Sequence, residues 1–189
     1  MSKNNKKDTN IMAANATIHK ALLNIANMDQ HYYAEHNLTI AKHPSENDLR
    51  LMIRVIAFIL NASDTLIFSK DISEDDEPAL WQRSLNGDIE LWIDLGQPDE
   101  KRIKKACGRS KKVIIYTFQE GIANPWFKQI KNSLQRFKNL QIIFLQTNDN
   151  IESLIDRSIN LQCNISDDEL TLMNTNNSVT ITQEIWKDN

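Results

Sequence analysis

The chain has 189 residues, 41% of them hydrophobic and 25% charged, with a formal net charge of -3 and an isoelectric point near 5.8. That balance belongs to a globular protein with one full core that needs neither metal nor disulfide to fold. It excludes coating nucleic acid or anionic membrane by overall charge, so any anion-binding role must come from a local patch.

Residues 1–11 are too polar to offset the entropy of ordering them and are predicted to be a disordered tail, followed by a single domain over 12–189. The opening MSKNNKKDTN carries no apolar targeting core, and the longest apolar run, VIAFIL after Arg54, is too short to cross a bilayer; a cytoplasmic protein without a membrane partner is expected. Alternation in ATIHKALLNIANMD and HYYAEHNLTIAKH predicts two strands in an antiparallel hairpin that turns near Asp29. Ser45, with an acid three residues on, is the predicted cap of a helix whose stripe Leu49, Ile53, Ile56 and Leu60 packs on a sheet.

TLIFSK is a predicted strand, EDDEPALWQRSLNG a turn with one helical turn after Pro78, and IELWIDLG the next strand. A helix from Pro98 to Cys107 stopped by Gly108, a strand KVIIYTF, a helix from Pro125 to about Phe137 and a strand QIIFLQT follow. All four prolines then stand at or just before a predicted helix start. The remainder reads as a short helix NIESLIDRSI and a closing antiparallel set, LQCNI, ELTLMN and SVTITQEIW. The fold class is therefore α+β (α/β-like): a mixed sheet flanked by helices, with antiparallel hairpins at both ends.

In ELWIDLG the period of two sends Glu90, Trp92 and Asp94 to one face and Leu91, Ile93 and Leu95 to the other. The acidic face is either a solvated outer surface or the wall of a pocket. Upstream, Glu74, Asp75, Asp76 and Glu77 form an exposed loop or a site where a cation offsets their repulsion. Glu46, in the first turn of its helix, either pairs with Arg50 four residues on or points along the sheet-facing edge. Lys101, Arg102, Lys104, Lys105, Arg109, Lys111 and Lys112 put seven cations into twelve residues with no acid among them. A pair between Glu100 and Lys104 and favourable charge at a helix C-terminus account for part of that run, and phosphate contact is a use for the rest. The four histidines, 19, 31, 36 and 43, lack metal-pair spacing and read as packing or surface residues; Cys107 and Cys163 lack Cys-x-x-Cys spacing and read as buried or idle thiols. With only four glycines the chain shows no phosphate loop, nucleophile motif or dinucleotide fingerprint.

The strings HPSE, DDEPALW and ELWIDLGQPDEKRIKKAC, in this order, resemble the YaeQ family, and the flanks ATIHKALLNIANMDQHYY and LTIAKHPSE extend the resemblance over nearly the whole chain after the tail. That family is similar to a diverged branch of the PD-(D/E)XK nucleases, which implies a restriction-endonuclease-like core. The resemblance implies Glu46 as the helix acid, Asp76 or Glu77 as the acid before the hairpin strand, and Asp94 as the acid of the (D/E)xK strand, together holding Mg²⁺ for hydrolysis of nucleic-acid phosphodiesters. The lysine expected two residues after Asp94 is replaced by Gly96; Gln97 stands next, and Lys101, Lys104 or Lys105 would supply the ammonium from the following helix. The alternative is a catalytically inactive module of the same fold that binds nucleic acid through Lys101, Lys104, Lys105, Arg109, Lys111 and Lys112, or binds a protein partner, in transcription or repair.

Overall fold

In the computed structural model, residues 16–69 and 77–188 are described. The predicted tail, and Glu74, Asp75 and Asp76, lie outside them. The two alternating segments form the expected hairpin, β1 (Thr17–Asn27) and β2 (Tyr32–Lys42), with Ala21 opposite Leu38. The helix that follows, α1 (Asp48–Leu60), is capped by Asn47, whose side chain accepts the Arg50 N–H at 2.8 Å. Ser45, the expected cap, instead bonds to the His43 ring. Asn caps as well as Ser, and starting two residues later makes Asp48 the first helical residue, where the dipole favours an acid.

Every residue from Leu51 to Leu60 is buried, so α1 carries no solvent face and must have protein on all sides. The strands supply it. β3 (Leu66–Phe68), β4 (Leu80–Arg83) and β5 (Ile89–Leu95) form an antiparallel meander; α2 (Glu100–Arg109), β6 (Ser110–Thr117), α3 (Glu120–Leu134) and β7 (Leu140–Gln146) add parallel strands with crossover helices. After a 3-10 turn at Ile151–Leu154, β8 (Ser158–Ser166), β9 (Glu169–Met173) and β10 (Ser178–Lys187) form the closing antiparallel set. β8 pairs with β1 in parallel and β10 with β7 antiparallel. All ten strands thus join one mixed sheet in the order β2-β1-β8-β9-β10-β7-β6-β5-β4-β3.

The sheet wraps α1 into a nearly closed, barrel-like layer. Its two edge strands reach the same helix: the Phe58 ring meets His36 of β2 edge-on at 5.2 Å and stacks on Phe68 of β3 at 5.4 Å. Arg54 donates to the Ala41 carbonyl on β2 at 2.7 Å and lies over the Phe68 ring, so one buried guanidinium spans the seam. α1 was expected on a flank and is the plug of the barrel, because its apolar surface runs right round instead of along one stripe. On the convex side α2 and α3 cover β5 to β7, closing a second core of Trp92, Ile103, Ala106, Val113, Leu134 and Ile142.

Four boundaries correct the sequence reading: the helix expected over NIESLIDRSI is only the 3-10 turn Ile151–Leu154, and Ser158 and Ile159 open strand β8. Pro78 precedes strand β4, where a missing N–H costs little, and not a helical turn; buried Leu80 and Trp81 pair with Ile93 and Trp92. α2 starts at Glu100 after an Asp99 cap and passes through Gly108 to Arg109. α3 starts at Glu120 with Pro125 inside it, and the carbonyl that proline leaves without a donor belongs to exposed Gly121.

Candidate functional site

The period of two in β5 places Asp94 beside Trp92, and Trp92 is fully buried beneath α2. At Asp94 this face is therefore neither a solvated surface nor an open pocket wall but the floor under α2, whereas Glu90, on the same face, reaches solvent and pairs with Lys111. A buried carboxylate needs donors, and the local sequence provides them. Asp99 caps α2 by accepting the Arg102 N–H at 2.7 Å, which fixes the first turn so that the Arg102 side chain points back at β5. Arg102 Nε donates to Asp94 Oδ2 at 2.9 Å and Nη2 donates to Oδ1 at 2.7 Å, a two-point ion pair. Trp92 Nε1 donates to the same Oδ2 at 2.9 Å. Arg102 Nη2 also donates to the Glu77 carbonyl at 2.7 Å, tying the segment before β4 to α2. Glu77 thus joins the cluster through its backbone.

Gly96 has a φ of +85°, and a Cβ there would meet only Arg50 Nη1, at 3.8 Å. The position where the resemblance places a lysine is glycine because of its backbone and not for lack of room. Gln97 turns inward, donating to Thr117 Oγ1 at 3.0 Å and to the Phe118 carbonyl at 3.3 Å, which ties the end of β5 to that of β6.

Glu46 lies on the concave side, in the link between β2 and α1, only 4% exposed. Its partner is Arg54, 3.1 Å from Oε2, and not Arg50, the partner in one of the two sequence readings, whose Nη1 donates to the Leu95 carbonyl at 3.4 Å. Neither Glu46 oxygen has a well-aligned hydrogen bond. Burial pushes its carboxyl above the usual range, opposed by the nearby Arg54 and Arg50; burial likewise lowers Arg54, opposed by Glu46.

The structure therefore does not bring Asp94 and Glu46 together: one is on the convex face with α2, the other on the concave side with α1, and each is matched by its own arginine. Among the described residues no group of three or more His, Cys, Asp or Glu is placed to hold a metal. The described donors do not fit Mg²⁺, since both Asp94 oxygens already accept from a guanidinium that would repel the ion.

The basic run does not form one patch. Lys101, Lys104 and Arg109 are exposed on α2 and Lys105 is half-buried, with a cavity of about 360 Å³ lined by Asp99, Lys101, Arg102 and Lys105 among the described residues. Lys111 pairs with Glu90 at 2.7 Å. Alternation along β6 sends Lys112 to the opposite face, at the mouth of the barrel. Glu100 bonds to Arg136 of the loop after α3 at 2.7 Å and not to Lys104. His19 and His36 pack within the sheet, and burial pushes the Cys107 thiol up to about 11 and Cys163 to about 12.

The partner roles of two arginines escaped the sequence reading. Arg54 had a signal: one cation within LMIRVIAFIL demands a buried counter-charge, and Glu46 is the acid next to that helix. Arg102 had a weaker one, being adjacent to Ile103 on the side of α2 that must face the strand.

Comparison with known proteins agrees over nearly the whole length. Residues 12–183 match the YaeQ protein family. The chain is 35% identical over 178 residues to the YaeQ protein of Escherichia coli strain K12, covering 93% of this chain and 98% of that one, and 36% identical over the same length and coverage to that of Salmonella typhi; both are described as uncharacterised. The crystal structure of YaeQ from Xanthomonas axonopodis pv. citri superposes with a TM-score of 0.87 at 42% identity, covering 92% of this chain and 99% of that one. That of the Pseudomonas syringae protein gives 0.86 at 26% identity, covering 92% and 97%. A shared arrangement across these relatives and a family match from the first hairpin to β10 make the chain a member of the YaeQ family.

Proposed function

We propose that this chain is a non-catalytic nucleic-acid-binding module, built on a fold related by descent to the PD-(D/E)XK nucleases, that holds a phosphate backbone against the exposed face of α2. The observation that carries this reading is the two-point bond from Arg102 to Asp94: the acid a nuclease would give to a metal is here spent on holding α2 against β5. With α2 so fixed, Lys101 and Lys104 stand exposed on its outer face, and no ion pair involves them among the described residues. Cations presented on a rigid helix, without ion-pair partners among the described residues, suit phosphate contact, which is sequence-independent and screened by salt.

Binding of a short labelled DNA or RNA duplex or single strand, followed by fluorescence anisotropy across a salt series, tests it. Replacing Lys101 and Lys104 together with Ala removes two phosphate contacts and lowers the slope of log K against log salt by about 1.8 on a duplex, or about 1.4 on a single strand. An unchanged slope refutes the reading. The other reading, Mg²⁺-dependent phosphodiester hydrolysis, requires Arg102 to leave Asp94. It would appear as Mg²⁺- or Mn²⁺-dependent cleavage that Asp94→Ala abolishes in a protein that still folds.

A further inference from the structure

α1 ends at Leu60, short of the end of the barrel where β6 and β7 begin and β1 and β8 finish, and leaves a cavity of about 290 Å³ open at that mouth. We infer that this cavity is a binding slot for a nucleobase-sized planar heterocycle, a function independent of the basic face of α2. Its floor is aliphatic: Leu60, Ile114, Ile143 and Ile165, all buried members of the concave core. Its rim carries amides, Asn27, Gln30, Gln141 and Gln183. A ring with apolar faces and a hydrogen-bonding edge matches both at once. A saccharide would set hydroxyls against the aliphatic floor, and an alkyl chain would strip water from the amides without replacing it.

The hydrogen-bonding capacity is unspent where such an edge would lie. Asn61 Nδ2 donates both to the Ala57 carbonyl and to the Tyr116 hydroxyl, each at 2.8 Å. The carbonyl contact fixes which amide atom is nitrogen, so the Tyr116 oxygen is an acceptor in that bond and its own proton remains to be given. Tyr116 is 2% exposed and lines the cavity, so its hydroxyl is a buried donor at the slot wall with a proton to give. Asn27, 5% exposed, spends its Oδ1 on the Gln30 N–H at 3.0 Å and keeps its amide N–H groups. Gln141 and Gln183 use their amide nitrogens on Asp188 and on the Asp168 carbonyl, leaving their oxygens as acceptors. Donors and acceptors thus both face the slot, as a base edge requires. Exposed Lys112 shares the rim with Asp29 and Asp168, so the charge there favours an uncharged base or nucleoside over a phosphorylated one.

Adenosine, guanosine, cytidine and uridine, their 5′-monophosphates, and a short single-stranded oligonucleotide are titrated into the full chain by calorimetry and by methyl chemical shifts. Saturable binding of at least one probe is expected, with shifts at Ile114, Ile143 and Ile165. Tyr116→Phe, which keeps the ring, should weaken it by about fivefold or more through loss of one buried hydrogen bond. Binding of a nucleoside or mononucleotide identifies a free ligand; binding of the oligonucleotide alone identifies a base presented by a strand only when it shifts Ile114, Ile143 and Ile165 and is weakened by Tyr116→Phe, and oligonucleotide binding without those shifts is binding at α2 and overturns the slot. If Tyr116→Phe fails to fold, Gln183→Leu at the rim gives the same reading. No saturation by any probe, or affinities indifferent to the variants, overturns it.

Discussion

The Asp94–Arg102 pair decides between a strand built for structure and one built for metal, so its energy is the quantity to measure. Removing one member of a buried ion pair costs about 3–5 kcal/mol, because the other is left desolvated and unmatched. The Asp94 side chain is 5% exposed but that of Arg102 is 25% exposed, so water reaches part of the pair. Discounted for that screening, Arg102→Ala should cost about 2–3 kcal/mol. Part of this is the bond to the Glu77 carbonyl, on the order of 1 kcal/mol, and a double-mutant cycle with Asp94→Asn removes that contribution. Urea unfolding followed by far-ultraviolet circular dichroism on the wild type, both single variants and the double variant should give a coupling energy of about 1.5 kcal/mol. A coupling below about 0.5 kcal/mol, the level of an exposed pair, would refute the claim that Arg102 holds α2 on β5 through Asp94. Millimolar Mg²⁺ should leave the unfolding midpoint of Arg102→Ala unchanged; a rise would show that the freed carboxylate takes a cation.

Glu46 has a folded pKa above its ordinary 4.5, so the native state binds its proton more tightly than the unfolded chain does. Its contribution is fully present below 4.5 and is lost as pH rises through the folded value. Melting of the wild type relative to Glu46→Gln should therefore fall as pH is raised from 4.5; a rising difference would reverse the sign and refute burial as the dominant cause. Gly96→Ala, at a φ of +85° with only an ordinary contact to Arg50, should cost about 1–2 kcal/mol through backbone strain alone. Gly87→Ala, at +88° with nothing nearby, should cost the same in urea unfolding, and a neutral result at both positions would refute the strain argument.

The hairpin, the three parallel strands and the closing meander were legible because each is a run whose alternation or apolar length admits one reading, as in TIHKALLNIAN or KVIIYTF. What escaped is what depends on neighbours. LWQR after Pro78 is too short to show a period, and becomes strand β4 only because β5 offers it a ladder. α1 showed an apolar stripe, but only the curl of the sheet explains why the rest of its surface is apolar too. At the site, the sequence singled out Asp94 and Glu46 as unusual acids but could not reveal that one faces α2 and the other α1. Both arginine partners were on the page as charges whose direction is set by a helix cap at Asp99 and by a seam between strands remote in sequence.

The parallel pairing of β1 with β8, Lys20 opposite Ser158, has a consequence for biosynthesis. Strand β1 leaves the ribosome long before β8, the inner neighbour it pairs with, has been made. Until then the hairpin offers a bare apolar edge to any other nascent strand. A message cut short before codon 158 should therefore yield a sticky fragment and not a smaller folded protein.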